Sequence, residues 1–220
     1  MDGVMVTIIK EAFRNLATVL LIVPAGVWSA VTPNSLFTNN MVLQHGIAVP
    51  VWGRAASGES VSVEFGTQIK TTTASSTGEW KAVLDSLPIK TLPSVMTIRG
   101  TNTVTLSNIL VGDVWLCSGQ SNMETAISYF GYDISTDAAN LSNVRFHVSY
   151  SSGPVTSGWT VCSGSATSVS AAGFYFAKNI SDSLGKIPIG LLCCYYGGTS
   201  VEAWMPLKTV LANGLDTSLV

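Results

Sequence analysis

Between Asp113 and Glu124 the chain reads DVWLCSGQSNME, an apolar run that ends abruptly in small and polar residues with a hydroxyl among them. Val114, Trp115, Leu116 and Cys117 extend the apolar Ile109, Leu110 and Val111, and a run of this kind predicts a strand buried on both faces. Ser118 and Gly119 then let the backbone turn. Gln120, Ser121 and Asn122 bring hydrogen-bonding groups to the strand end, which is where open α/β sheets bind their ligands. A second apolar run, Ile187 to Tyr196, dissolves in the same way into Gly197, Gly198, Thr199 and Ser200. Paired glycines let backbone N–H groups approach a ligand closely, as stabilisation of an oxyanion requires. Each feature also has a plain structural reading, Ser121 as a helix cap and Gly197-Gly198 as a turn.

The elements that must carry these strand ends follow from the pattern around them. The strand Ile109 to Cys117 leads into a short helix after Gln120, then a strand from Val144 to Val148 after the Asn140 to Asn143 turn. A Ser-, Gly- and Thr-rich loop covers Ser149 to Ser168. Ser170 is placed to cap a helix running to about Leu184, since Gly173, Phe176, Ala177, Ile180 and Leu184 recur at helical spacing and Gly185 closes it. With the strand from Ile187, this order predicts a largely parallel, three-layer α/β sheet over 109–220 with right-handed crossovers. Residues 31–108 read instead as a small β-sandwich. Turn signals stand at His45-Gly46, Ser57-Gly58, Gly66-Thr67 and Thr77-Gly78, and Val61, Val63 and Phe65, like Trp80, Ala82 and Leu84, alternate with more polar neighbours.

Composition narrows the class. Of 220 residues 47% are apolar and 11% charged, with a formal net charge of −2, which argues for a globular chain and against disorder or a nucleic-acid partner. Lys10 and Arg14 precede the apolar run Leu16 to Val23, and Pro24, Ala25, Gly26, Ser29 and Ala30 follow. This is the layout of a secretory signal peptide over 1–30 cut near Ser29 or Ala30, and the run is too short for a stable membrane span. Asn140-Leu141-Ser142 and Asn179-Ile180-Ser181 are glycosylation triplets that suit a secreted route. Cys117, Cys162, Cys193 and Cys194 show no metal-site spacing, and no phosphate-binding glycine loop is present, so neither a metal nor any other cofactor is expected.

Four passages together resemble the sialate O-acetylesterase family, secreted or lysosomal serine esterases of the SGNH hydrolase superfamily. LFTNNMVLQHGIAVPVWGRAASGESVSV is similar to the family's opening β-subdomain and VGDVWLCSGQSNME to its nucleophile block. AAGFYFAKNISDSLGKIPIGLL matches its helix and strand, and YYGGTSVEAW its glycine block. The resemblance runs from about Leu36 to Pro206. It implies an SGNH-like α/β domain with Ser121 as nucleophile, attacking the carbonyl of an O-acetyl ester on a sugar or glycoconjugate. The Ser121 N–H and that of Gly197 or Gly198 would face the oxyanion. Gln120, Asn122 and Glu202 would support the substrate or the loops, and Trp204 would offer an aromatic face to a sugar ring. The positive end of the following helix would favour charge at Ser121.

The same resemblance implies an activating histidine in an Asp-x-x-His block and a further oxyanion donor in a Gln-Gly-Glu block, both downstream of the glycine block. Neither block occurs before Val220, so the chain is expected to represent the N-terminal portion of such an esterase, poorly soluble alone. Its two histidines, His45 before a turn and His147 within RFHVSY, read as structural. Asp113 reads as a turn residue and Glu124 as a first-turn helix charge, although both are near enough to orient the nucleophile loop. The alternative is a catalytically inactive carbohydrate-binding or interaction module.

Overall fold

The computed structural model describes residues 30–151, 156, 158–164 and 168–214. The expected signal peptide, apart from Ala30, lies outside them, as does part of the Ser149 to Ser168 loop. Among these residues the strands come in the order β1 (Thr32–Pro33), β2 (Val42–Gln44), β3 (Val49–Arg54), β4 (Ser60–Phe65), β5 (Gln68–Thr73), β6 (Glu79–Leu84), β7 (Lys90–Arg99), β8 (Thr103–Gly119), β9 (Val144–Tyr150), β10 (Thr160–Val161) and β11 (Ile189–Tyr195). Helices α1 (Ser121–Glu124) and α2 (Ser135–Ala138) fall between β8 and β9. Helix α3 (Ala171–Ser183) precedes β11, and α4 (Leu207–Ala212) follows it.

The first part is built from strands with one buried face. In β4 Val61, Val63 and Phe65 point inward, and in β6 Trp80, Ala82 and Leu84 do, each between exposed or half-buried neighbours. β1, β3 and β6 form a small antiparallel sheet. The larger sheet runs β10-β9-β11-β8-β7-β4-β5, with β2 also on β8. The two sheets enclose one core that includes Val51, Val63, Trp80, Met96 and Ile98.

β8 joins this all-β part to the rest. Its Thr103 to Val111 half pairs antiparallel with β7, Leu110 to Gly112 pair parallel with β2, and Asp113 to Gly119 pair parallel with β11. The 108/109 boundary expected from the pattern falls inside this strand. Asn108 there takes φ +57° at a break in the β7 ladder. The buried Arg145 of β9 donates to the carbonyls of Asn40 and Asn108, tying the irregular residue to the second part.

β8, β9 and β11 are mutually parallel where they meet, and α3 covers one face. The second core collects Cys117, Phe146, Phe174, Ala177, Leu191 and Cys193. Ser170 caps α3 as its position predicts, its hydroxyl accepting from the Gly173 N–H at 3.0 Å, and Gly185 follows the helix at φ +68°. Two details differ from the pattern. The buried face of α3 is Gly173, Phe174, Ala177 and Ser181, whereas Phe176 and Leu184 are exposed, because Phe176 turns to meet the Trp115 ring edge-on at 5.1 Å. β8 is not buried on both faces to its end. Beyond Gly112 its ladder partner among the described residues is β11 alone, and Trp115 and Leu116 are 42% and 68% exposed. Among the described residues no helix is long and apolar enough to cross a membrane.

Candidate active site

Three parallel strands end side by side. The ladder places Tyr195 opposite Gly119, and the next residue, Tyr196, donates its N–H to the Gly119 carbonyl at 3.0 Å. β8 leaves the sheet through Gly119 at φ +143°, a backbone conformation that side chains other than glycine's rarely adopt. Gln120 caps the helix that begins at Ser121, and its side-chain oxygen accepts from the Ser121 N–H at 2.9 Å and from the Ser121 hydroxyl at 2.5 Å. Thr125 ends α1 after a single turn, the short helix expected at this point, so its dipole is weak.

After β11 the chain turns through Gly197 and Gly198, the latter at φ +79°. Thr199 holds that turn, donating to the Tyr196 carbonyl at 2.7 Å and accepting from the Trp204 indole at 2.8 Å. Gly119, Gln120, Gly198, Thr199, Ser200 and Trp204 line an open cleft of about 650 Å³. The Ser200 hydroxyl oxygen is buried at its edge without a partner among the described residues. A larger hollow of about 900 Å³ lies over the small sheet, lined by Trp52, Arg54 and Glu79, away from the three strand ends.

Glu124 binds the three strand ends together. Its carboxylate accepts from the Gly197 N–H at 2.6 Å and from the Ser151 hydroxyl, just beyond β9, at 2.6 Å. The reading of Glu124 as a helix-turn charge missed this, and spacing alone carries no sign of it: the partners are distant in sequence. The Gly197 N–H is thereby engaged by a carboxylate, which leaves Gly198 as the glycine on the cleft wall. Beneath the site the Tyr195 hydroxyl is held above its ordinary range, chiefly by burial. Above it Tyr150 and Tyr196 stack at 5.3 Å.

The other residues singled out in the sequence are placed as follows. Asn122 is exposed on α1, and Glu202 lies half-buried in the short 3-10 turn Val201–Trp204. Neither histidine joins the site. His45 pairs with Asp113 at 2.9 Å, at the opposite end of the β8 segment that leads to Gly119, roughly 20 Å of strand away at about 3.3 Å per residue. His147 is buried on the β9 face away from α3, with Nε2 3.3 Å from the Ser35 carbonyl and its ring edge-on to Trp159. No group of three or more potential metal ligands occurs among the described residues.

The family described as carbohydrate esterase, sialic acid-specific acetylesterase, matches residues 111–216, the stretch from the middle of β8 past α4 that builds this site. The chain belongs to that family. Sialate O-acetylesterase of Rattus norvegicus is 31% identical over 213 residues, covering 84% of this chain and 39% of the relative. The Homo sapiens protein of that name is 28% identical, covering 82% and 40%. A solved structure of a carbohydrate acetylesterase from Xanthomonas citri superposes with a TM-score of 0.74 at 29% identity, over 84% of this chain and 44% of that one. This member of the family thus spans about two-fifths of the length of the curated relatives it matches.

Proposed function

We propose that the chain carries the nucleophile side of an SGNH-type, three-layer serine esterase site that removes O-acetyl groups from sialic acid or related acetylated sugars. Ser121 is the attacking hydroxyl. Its Oγ adds to the acetyl carbonyl, the sugar alcohol leaves, and water releases acetate from the acyl-enzyme. The observation that carries this reading is the junction of the two strand ends. The bond between Tyr196 and Gly119 brings the Gly119-Gln120 turn that leads into Ser121 and the Gly198 turn to one cleft, where the Ser121 and Gly198 N–H groups would serve one oxyanion once the Gln120 oxygen is displaced. The Gln120 side-chain oxygen now occupies the Ser121 N–H and hydroxyl, and a substrate carbonyl would take that acceptor's place. Trp204 and the Tyr150–Tyr196 pair supply aromatic faces for a sugar. The proton acceptor for Ser121 comes from outside the described residues, in the role that the Asp-x-x-His block holds in the family. A secreted or lysosomal location belongs to the same proposal.

A second reading, a catalytically inactive module that binds acetylated glycans, is favoured by one observation. The Ser121 hydroxyl donates to an amide oxygen, which is no base, and both histidines lie elsewhere. One experiment separates the two. The purified chain is incubated with O-acetylated sialic acid and with imidazole as an external proton acceptor, released acetate is quantified, and binding is followed by saturation-transfer NMR. Acetate release that disappears in Ser121→Ala supports the esterase, and binding without release supports the module. Release unaffected by Ser121→Ala, or neither release nor binding, overturns both.

A further inference from the structure

Cys117 and Cys193 stand opposite each other in the parallel ladder between β8 and β11. Side chains of a registered pair leave the sheet on the same face, and here both enter the core beneath α3, 5% and 1% exposed. Both are free thiols. Adjacent strands lie about 4.7–4.9 Å apart, inside the Cα separation of roughly 4.4–6.8 Å that a disulfide spans. The neighbouring Cys193 thiol holds the Cys117 thiol below its ordinary range, and the Cys117 thiol together with burial pushes that of Cys193 above it.

The other cysteines lack this arrangement. Cys162 is buried after β10, and burial pushes its thiol up to about 11. Cys194 is registered with Ser118, and as the next residue along β11 it points to the opposite face from Cys193. Access to Cys117 comes from its own strand. Among the described residues, β8 from Asp113 onward is held by a ladder on its β11 side only, so this segment opens more readily than the centre of the sheet.

We propose that Cys117 and Cys193 form a disulfide site that cross-links β8 to β11 directly beneath the candidate active site. With a low-molecular-weight disulfide as oxidant, the Cys117 thiolate attacks one of its sulfurs, forming a mixed disulfide and expelling one thiolate. Cys193 loses its proton and attacks the Cys117 sulfur, expelling the second. Two protein thiols are oxidised, one small disulfide is reduced to two thiols, and both protons pass to the released thiolates. The bond fixes the spacing of the two strands whose ends carry Ser121 and Gly197, and it stands whether or not Ser121 is a nucleophile.

The test needs no activity. The full chain is held with oxidised glutathione in two arms, as folded protein and during refolding from urea. Remaining thiols are then blocked with N-ethylmaleimide, and the protein is digested without reduction for mass spectrometry. Free thiols should fall from the four of the reduced chain to two, with one linked peptide pair containing Cys117 and Cys193 that dithiothreitol separates. Cys117→Ser or Cys193→Ser should abolish the link, and Cys162→Ser should leave it. Four thiols persisting in both arms, glutathione adducts without a link, or a link through Cys194 or Cys162 would overturn the proposal.

Discussion

Replacing Glu124 tests the central claim about how the site is held. Its carboxylate accepts two hydrogen bonds at 2.6 Å, from the Gly197 N–H and the Ser151 hydroxyl, and so connects α1 to the ends of β11 and β9. Hydrogen bonds to a charged group contribute about 1.5–3 kcal/mol each when buried. Glu124 is half-buried, and water partly replaces whatever is lost, so Glu124→Ala is expected to destabilise the fold by about 2–4 kcal/mol. In a chain of this size each kcal/mol moves the melting temperature by about 2–4 °C, so a fall of about 4–16 °C should be seen. Glu124→Gln keeps an oxygen for the Gly197 N–H and an amide for Ser151, and should lose about half as much. Urea titrations followed by tryptophan fluorescence give the free energies, and hydrogen exchange reports the Gly197 amide directly. A Glu124→Ala protein within about 0.5 kcal/mol of the parent, with the Gly197 amide still protected, would refute the clamp.

Two further outcomes follow from local geometry. Gly119→Ala should cost about 1–3 kcal/mol in denaturant titration through backbone strain at φ +143°, not through a clash, since a Cβ there would meet Met123 only at an ordinary 3.6 Å. A cost no greater than that of an exposed Ala substitution would show that the turn adapts. Glu59 accepts backbone N–H bonds from Thr101 and Ala56, the first being the larger cause of a carboxyl held below its ordinary 4.5. Its stabilisation is fully present above the unfolded value and is lost as pH falls through 4.5 toward the folded one. Stability of Glu59→Gln should therefore fall less steeply than the parent's between about pH 5 and pH 3, and parallel curves would remove Glu59 as the titrating group.

Much of the fold was legible in the sequence because its signals are local. Alternation in β4 and β6, the Ser170 cap and the runs ending at Gly119 and Gly197 are each carried by neighbouring residues, and each element forms where its pattern stands. The departures arise where a side chain's surroundings come from elsewhere in the chain. Phe176 fits the apolar stripe of α3 but swings to Trp115, and Trp115 and Leu116, inside an apolar run, lie on a stretch of β8 paired on one side only. His45 and Asp113 look unrelated in sequence and meet at 2.9 Å, because β2 and β8 run side by side just before them.

What the sequence determined by itself is the chemistry on offer at the opening motif: a hydroxyl at Ser121, an amide on either side of it, and a glycine that permits the turn. Only the tertiary structure decided how those groups are used. It turned the Gln120 oxygen onto the Ser121 hydroxyl, engaged the Gly197 N–H with Glu124, left Gly198 on the cleft wall and kept both histidines away. The physical reason is range. Propensity and periodicity act over a few residues and specify elements, whereas hydrogen bonds between strand ends depend on which strands become neighbours, and that choice is made by burial across the whole sheet.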